Sequence, residues 1–187
     1  MSTGQDQSVI ELLVDQHRQV KECFDRLKSG QGAKEDQFHE LVRLLAVHES
    51  AEEQIVHPAA RRAEAGDDVV RQRLVEESEA KKTLSELYDL GVEHPDFDKK
   101  LAEFADAVLE HARHEESEEF SAMAAHLSPE ELRRMAGAVR AAEAIAPTRP
   151  HPAAGESPLA NLIAGPPLAV FDRVRDAVRD WRSANDK

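Results

Sequence analysis

Over residues 8–127, apolar side chains recur at three- and four-residue intervals in four successive stretches, the period of amphipathic helices. Ser8 followed by Glu11 carries the signature of a capping box. The helix it opens presents Ile10, Leu13, Val20, Phe24 and Leu27 on one face and ends near Ser29-Gly30; His17 fills the one gap in that stripe. A second helix is expected from about Lys34 towards Gly66, kinked or broken at Pro58, with the stripe Phe38, Leu41, Leu45, His48, Glu52, Ile55. A third runs from about Asp67 to Leu90 and stops at Gly91. A fourth begins near Asp96 and carries Leu101, Phe104, Val108, His111, Glu115 and Glu118. Single apolar stripes on four helices joined by short loops predict an all-α, up-down-up-down four-helix bundle.

Further helices follow at the C-terminal side. Ser128-Pro-Glu-Glu131 opens an additional helix over 128–146, residues 147–166 form a Pro-rich extended linker, and 167–184 form an amphipathic helix. That last helix sets Phe171, Val174, Val178 and Trp181 against a face alternating Asp and Arg. Mixed charge argues against a membrane-surface helix and for packing on its own bundle or on a partner, a second copy included.

The two halves of the bundle repeat each other. His48-x3-Glu52-Glu53-x3-His57 matches His111-x3-Glu115-Glu116-x3-Phe120 at a shift of 63 residues, and His17 falls opposite Glu77 at a shift of 60. Each half is thus a hairpin with one metal-capable residue on its first helix and a His-x3-Glu pair on its second.

A His or Glu facing a core must be hydrogen-bonded, neutralised or bound to something, because an unpaired buried charge costs several kcal/mol. The stripes direct His17, His48, Glu52, Glu77, His111 and Glu115 towards the axis. Residues four apart differ by about 40° around a helix and roughly 6 Å along it, so each His-x3-Glu pair offers both side chains to one point. Counted from the loops, the six stand at matching heights and form one layer. Mixed nitrogen and oxygen ligands suit iron or manganese. Cys23, the one cysteine, offers no thiolate cluster for structural zinc.

Charge and segment content narrow the setting. Lys+Arg number 24 against 37 Asp+Glu, and the resulting net charge of -13 repels nucleic acid and anionic membrane while favouring cations. A lone cysteine allows no internal disulfide, MSTGQDQS has no signal-like character, and no apolar run approaches the roughly 20 residues of a membrane span. A cytoplasmic location is the expectation.

The motifs VDQHRQVKECF, HESAEEQIVHP and HARHEESEEF, taken together over about residues 8–127, resemble the hemerythrin-like, His-His-Glu cation-binding domain family. The resemblance implies a four-helix bundle holding a non-haem di-iron centre. It also implies a role in binding, reducing or sensing dioxygen, peroxide or nitric oxide. His17, His48, Glu52, His111 and Glu115 carry over as ligands, with Glu52 and Glu115 as bridges. One departure stands out: oxygen-carrying members have histidines on the third helix, and here that helix has none. The repeat puts Glu77 in their place, with Glu76 or Glu79 as alternatives. A carboxylate there makes the centre harder and more anionic, favouring redox turnover or iron binding over reversible oxygen carriage. Two other functions stay open, an iron buffer without turnover and a metal-free helical interaction module, and so does whether the chain is an enzyme.

The remaining polar candidates divide simply. Glu49, Glu53 and Glu116 are expected on a solvated face, and His39 and His57, each nine residues from His48, half a turn out of phase and pointing away. His114 and Glu118 form another spaced pair, expected at a solvated helix end, with an extension of the site as the alternative. His94, His126 and His151 fall in or near loops, Cys23 is a packing residue, and Tyr88 is a half-buried helix tyrosine.

Overall fold

The computed structural model describes residues 7–30, 32–145 and the isolated positions 172, 175, 176 and 179. The described chain is all-helical: α1 (Val9–Ser29), α2 (Lys34–Ala51), a π-helical turn (Glu52–Val56), α3 (His57–Arg62), α4 (Asp67–Leu90), α5 (Phe97–Ser117), α6 (Glu119–His126) and α7 (Pro129–Ile145). Two helical hairpins, α1 with α2–α3 and α4 with α5–α6, make the bundle, and α7 packs against α1 and α2. The linker expected over 147–166 lies outside the described residues, as does the apolar face of the C-terminal helix. Of that segment, Asp172, Arg175, Asp176 and Arg179 are helical and exposed, and Gln54 Nε2 donates to the Arg175 carbonyl at 2.8 Å.

Local chemistry sets the boundaries. Ser8 Oγ accepts from the Glu11 amide at 3.2 Å while the Ser8 amide donates to Glu11 Oε2 at 2.8 Å, closing the capping box. Gly30 ends α1 at φ 68°, in the left-handed region that L side chains rarely adopt. Ser128 and Glu131 repeat the capping box at α7.

The second helix is not interrupted at Pro58 but widened before it, over Glu52–Val56. Proline lacks an N–H and its ring crowds the carbonyl four residues back, and a π-type turn on that side relieves both problems. The fourth helix is likewise broken between α5 and α6 at Glu118 (φ -110°, ψ -66°). The repeat register maps that break onto the π-helical turn, so both hairpins lose α-helical regularity at the same level.

Two apolar clusters fill the bundle. One, around Phe24, Leu41, Leu84, Phe97 and Phe104, occupies the end bearing the α1–α2 and α4–α5 loops. The other joins the start of α1 to α3, α6 and α7 through Val9, Leu13, Val56, Phe120 and Met123. Between them lies a layer of buried polar groups including His17, His48, Glu52, Glu77 and Glu115. Phe24 is 0% exposed and meets the Phe104 ring edge-on at 5.7 Å. Phe24→Ala is expected to lower the unfolding free energy by about 3–5 kcal/mol in a urea titration, with metal loading of the surviving folded chain retained.

Candidate metal centre

The apolar stripe of each helix turns polar at the same height, and the structure gathers the six expected residues there. His17, His48, Glu52 and Glu115 offer ligand atoms within 4.8 Å of one another, and so do Glu52, Glu77, His111 and Glu115. Glu52 and Glu115 belong to both groups. Within the first, the Nε2 atoms of His17 and His48 stand 3.0 Å apart, and His48 Nε2 lies 3.0 Å from Glu52 Oε1. His17 Nε2 lies 3.3 Å from Glu115 Oε2, and His111 Nε2 lies 3.4 Å from Glu115 Oε1. Donors about 2.1 Å from one cation lie roughly 3–4 Å from each other, so these separations suit coordination.

Each of the three imidazoles is held from behind. Nδ1 of His48 meets Gln16 Oε1 at 2.7 Å, Nδ1 of His17 meets Glu116 Oε1 at 2.8 Å, and Nδ1 of His111 meets Glu76 Oε2 at 3.0 Å. The partners are all acceptors, so Nδ1 carries a hydrogen and Nε2 is the atom turned towards the centre, free to offer a lone pair once a cation displaces any proton there. That is how proteins orient histidine ligands. Gln16 and Glu76 are repeat equivalents at the shift of 60, so the same support is built twice. Arg73, 1% exposed, extends the second support by pairing Nη1 with Glu76 Oε2 at 2.9 Å.

The inward-facing atoms go unsatisfied. Both oxygens of Glu52, both of Glu115, Glu77 Oε2 and His111 Nε2 are buried without a hydrogen-bond partner. Orphaned buried polar atoms are costly, and six gathered in one layer, five of them carboxylate oxygens, are what cations would satisfy. The donor set therefore fits a metal.

Protonation equilibria reflect the same crowding. Burial, then the neighbouring Glu115 and Glu77, push the Glu52 carboxyl well above its usual range. Glu115 moves the other way: burial opposes its charge, but contacts with His111 and His17 hold it well below the usual range. Burial, reinforced by His17, lowers His48. For His111 burial is outweighed by Glu115 and Glu76, and its pKa rises to about 9.

Several positions depart from expectation. His57 does not point away; it is 1% exposed, with Nε2 2.5 Å from Glu77 Oε1 and Nδ1 3.0 Å from Glu119 Oε1. The π-helical turn lies between His48 and His57 and inserts in effect one residue, setting His57 back by roughly 100° and into the core. Burial disfavours its charge, yet the bonds to Glu119 and Glu77 prevail and raise its pKa to about 10. Glu119, 0% exposed, joins His57 and Glu115 in a third ligand-capable group; the break at Glu118 carries it inward. Glu49 is also buried, at 5% exposure, rather than solvated. Burial and then Glu77 raise its pKa to about 8, and Lys81 Nζ lies 3.3 Å away. Glu53 is partly exposed and pairs with Lys81 at 2.5 Å, while Glu116, exposed as expected, nonetheless holds His17.

The other candidates are not in the inner layer, although His114 and Glu118 reach its outer support, with His114 Nδ1 3.7 Å from Glu76 Oε1. His114 is half-buried beside Glu110, and Glu118 is exposed 3.6 Å from Arg73. Tyr88 packs on His39 with ring centres 6.5 Å apart, and Cys23 is buried as a free thiol. His94 and His126 are exposed, and His151 lies outside the described residues. Helix α4 contributes Glu77 to the inner layer and Glu76 to the outer support.

If the outer bonds position the ligands, Gln16→Leu and Glu76→Leu should each weaken divalent-metal affinity about 10–100-fold while leaving helix content unchanged. Competitive titration against a chromophoric chelator checks this.

The chain is similar to known proteins over most of its length. A DNA nickase from Nostoc sp. is 28% identical over 144 residues, covering 76% of this chain and 41% of the Nostoc protein. An uncharacterized hemerythrin-like protein from Schizosaccharomyces pombe is 26% identical over 172 residues, covering 88% of this chain and 83% of that one. No solved structure matches significantly. Among the described residues, no helix is long and apolar enough to cross a membrane. The family profile "Hemerythrin HHE cation binding domain" matches residues 8–123, and the chain belongs to that family.

Proposed function

We propose that this chain is a non-haem di-iron protein that binds, reduces or senses dioxygen, peroxide or nitric oxide. The observation that carries the reading is the overlap of the two ligand groups. Glu52 and Glu115 belong to both, and a carboxylate has two oxygens with which to serve two cations. His17 and His48 would then hold one iron, and His111 with Glu77 the other. Two bound irons would supply redox chemistry towards a small oxygen- or nitrogen-containing ligand. Manganese accepts the same ligands.

The chain's own residues do the rest. Gln16, Glu116 and Glu76 keep three imidazole lone pairs aimed inward. His57 spans Glu77 and Glu119 and holds both carboxylates in place. The apolar clusters above and below shield the two ends of the layer from bulk water and strengthen the electrostatic contacts there. Glu77, where oxygen carriers have imidazole, adds negative charge and favours the ferric state, which supports turnover with peroxide over reversible oxygen carriage. A cytoplasmic setting is part of the proposal.

The name of the Nostoc relative raises a second reading, DNA cleavage. A net charge of -13 disfavours binding to a phosphate backbone, and the chain spans only 41% of that protein, so this reading is secondary. A plasmid-nicking assay with the metal-loaded chain tests it, and nicking abolished by Glu115→Ala would favour it.

Anaerobic ferrous loading followed by iron analysis tests the main reading. About two irons per chain are expected, with stoichiometric consumption of hydrogen peroxide and oxidation of the iron. Glu115→Ala should lose both irons and Glu77→Ala should retain one. A chain that takes up iron but leaves peroxide untouched is a buffer, and a chain that stays empty is not a metal protein.

A further inference from the structure

A cavity of about 380 Å³ opens between α4 and α5 and runs inward to His48, Glu49, Glu77 and His111. Its size exceeds any need of a diatomic ligand. One water occupies about 30 Å³ of liquid, an apolar cavity near 150 Å³ accommodates benzene, and pockets for organic ligands begin at about 300 Å³.

The repeat marks where part of the space comes from, although Phe104 and Leu109 are larger than their counterparts Leu41 and Ala46. At the shift of 60, Ala80 on α4 stands where α1 has Val20; at the shift of 63, Ala107 on α5 stands where α2 has Leu44, and Val108 where α2 has Leu45. The second hairpin has smaller side chains at three positions that line the cavity, while Val20, Leu45 and Phe104 supply apolar wall. The void is lined by both hairpins, more by the second, and reaches the candidate metal centre.

Charge at the mouth restricts what enters. Glu79, Glu86 and Glu103 stand there with Lys100, whose ammonium lies 3.7 Å from Glu86. An anionic head meets net repulsion on this path and an uncharged one does not. The inner end is polar, so an occupant would place an apolar body along the walls and a lone-pair donor inward.

We propose that this cavity binds a neutral organic molecule, several carbons long, with one oxygen-bearing head directed at the metal centre. The direction of the head rests on the di-iron reading; the cavity and its preference for uncharged apolar ligands do not.

The test uses the full chain, metal-free and iron-loaded, with 1-octanol and octanoate as probes. Calorimetry follows binding, and intermolecular NOEs from the octanol chain to Phe104 and Val108 locate it in the metal-free chain. One octanol per chain is expected, with octanoate at least tenfold weaker. The variant Ala80→Val/Ala107→Leu, which installs residues the first hairpin already carries, should weaken octanol at least tenfold and leave iron stoichiometry unchanged. Absence of octanol binding, absence of NOEs to the cavity wall, or equal affinity in the variant overturns the proposal. Octanol binding by a chain that takes up no iron would sink the di-iron reading and leave the cavity assignment standing. Two irons without octanol binding would do the reverse.

Discussion

Burial of carboxylates is the constraint from which the rest of the architecture follows. Glu52, Glu77, Glu115 and Glu119 are each at most 1% exposed, in one layer between two apolar clusters. Ionised carboxyls packed this closely repel one another, and each gives up solvation worth several kcal/mol. Protons relieve part of this, as the raised Glu52 pKa indicates, and His57 and His111 relieve more by pairing. Neither satisfies the inward oxygens of Glu52 and Glu115, which have no hydrogen-bond partner. The pair of cations proposed between those two residues would remove both the repulsion and the orphaned acceptors. Membership of a cation-binding family and the local physics therefore point the same way.

Duplication gives the layer its symmetry, and departures from duplication give it character. Gln16 and Glu76 back their respective histidines from matching positions. Phe120, opposite His57 in the repeat, stacks on His17 with ring centres 5.8 Å apart, whereas His57 bonds to Glu77, the repeat partner of His17. Each hairpin thus braces the metal-facing residue on the other hairpin's first helix, once by stacking and once by hydrogen bonding. Within the buried layer the first half is the more imidazole-rich, with His17, His48 and His57, and the second the more acidic, with Glu77, Glu115 and Glu119.

The helices and the inward set His17, His48, Glu52, Glu77, His111 and Glu115 were legible because apolar spacing over several turns reports which face is buried. His57 and Glu119 were not. That logic assumes 100° per residue, and the π-helical turn at Glu52–Val56 and the break at Glu118 each violate it just before the residue concerned. The signal for the first was present in Pro58, whose demands on the preceding turn could have flagged a phase change before His57. Glu49 was misplaced for another reason. Adjacent to His48, it lies off the apolar stripe, yet it is buried with the Lys81 ammonium of the facing helix 3.3 Å away. Periodicity on one helix carries no information about which residues the facing one brings against it.

The central claim, two cations bridged by Glu52 and Glu115, is most directly tested by anomalous diffraction at the iron edge from crystals of the iron-loaded chain. Two peaks about 3–4 Å apart are predicted, both within coordination distance of Glu52 and Glu115, with His17 and His48 at one and His111 and Glu77 at the other. A single peak, or two peaks that share neither carboxylate, would contradict it.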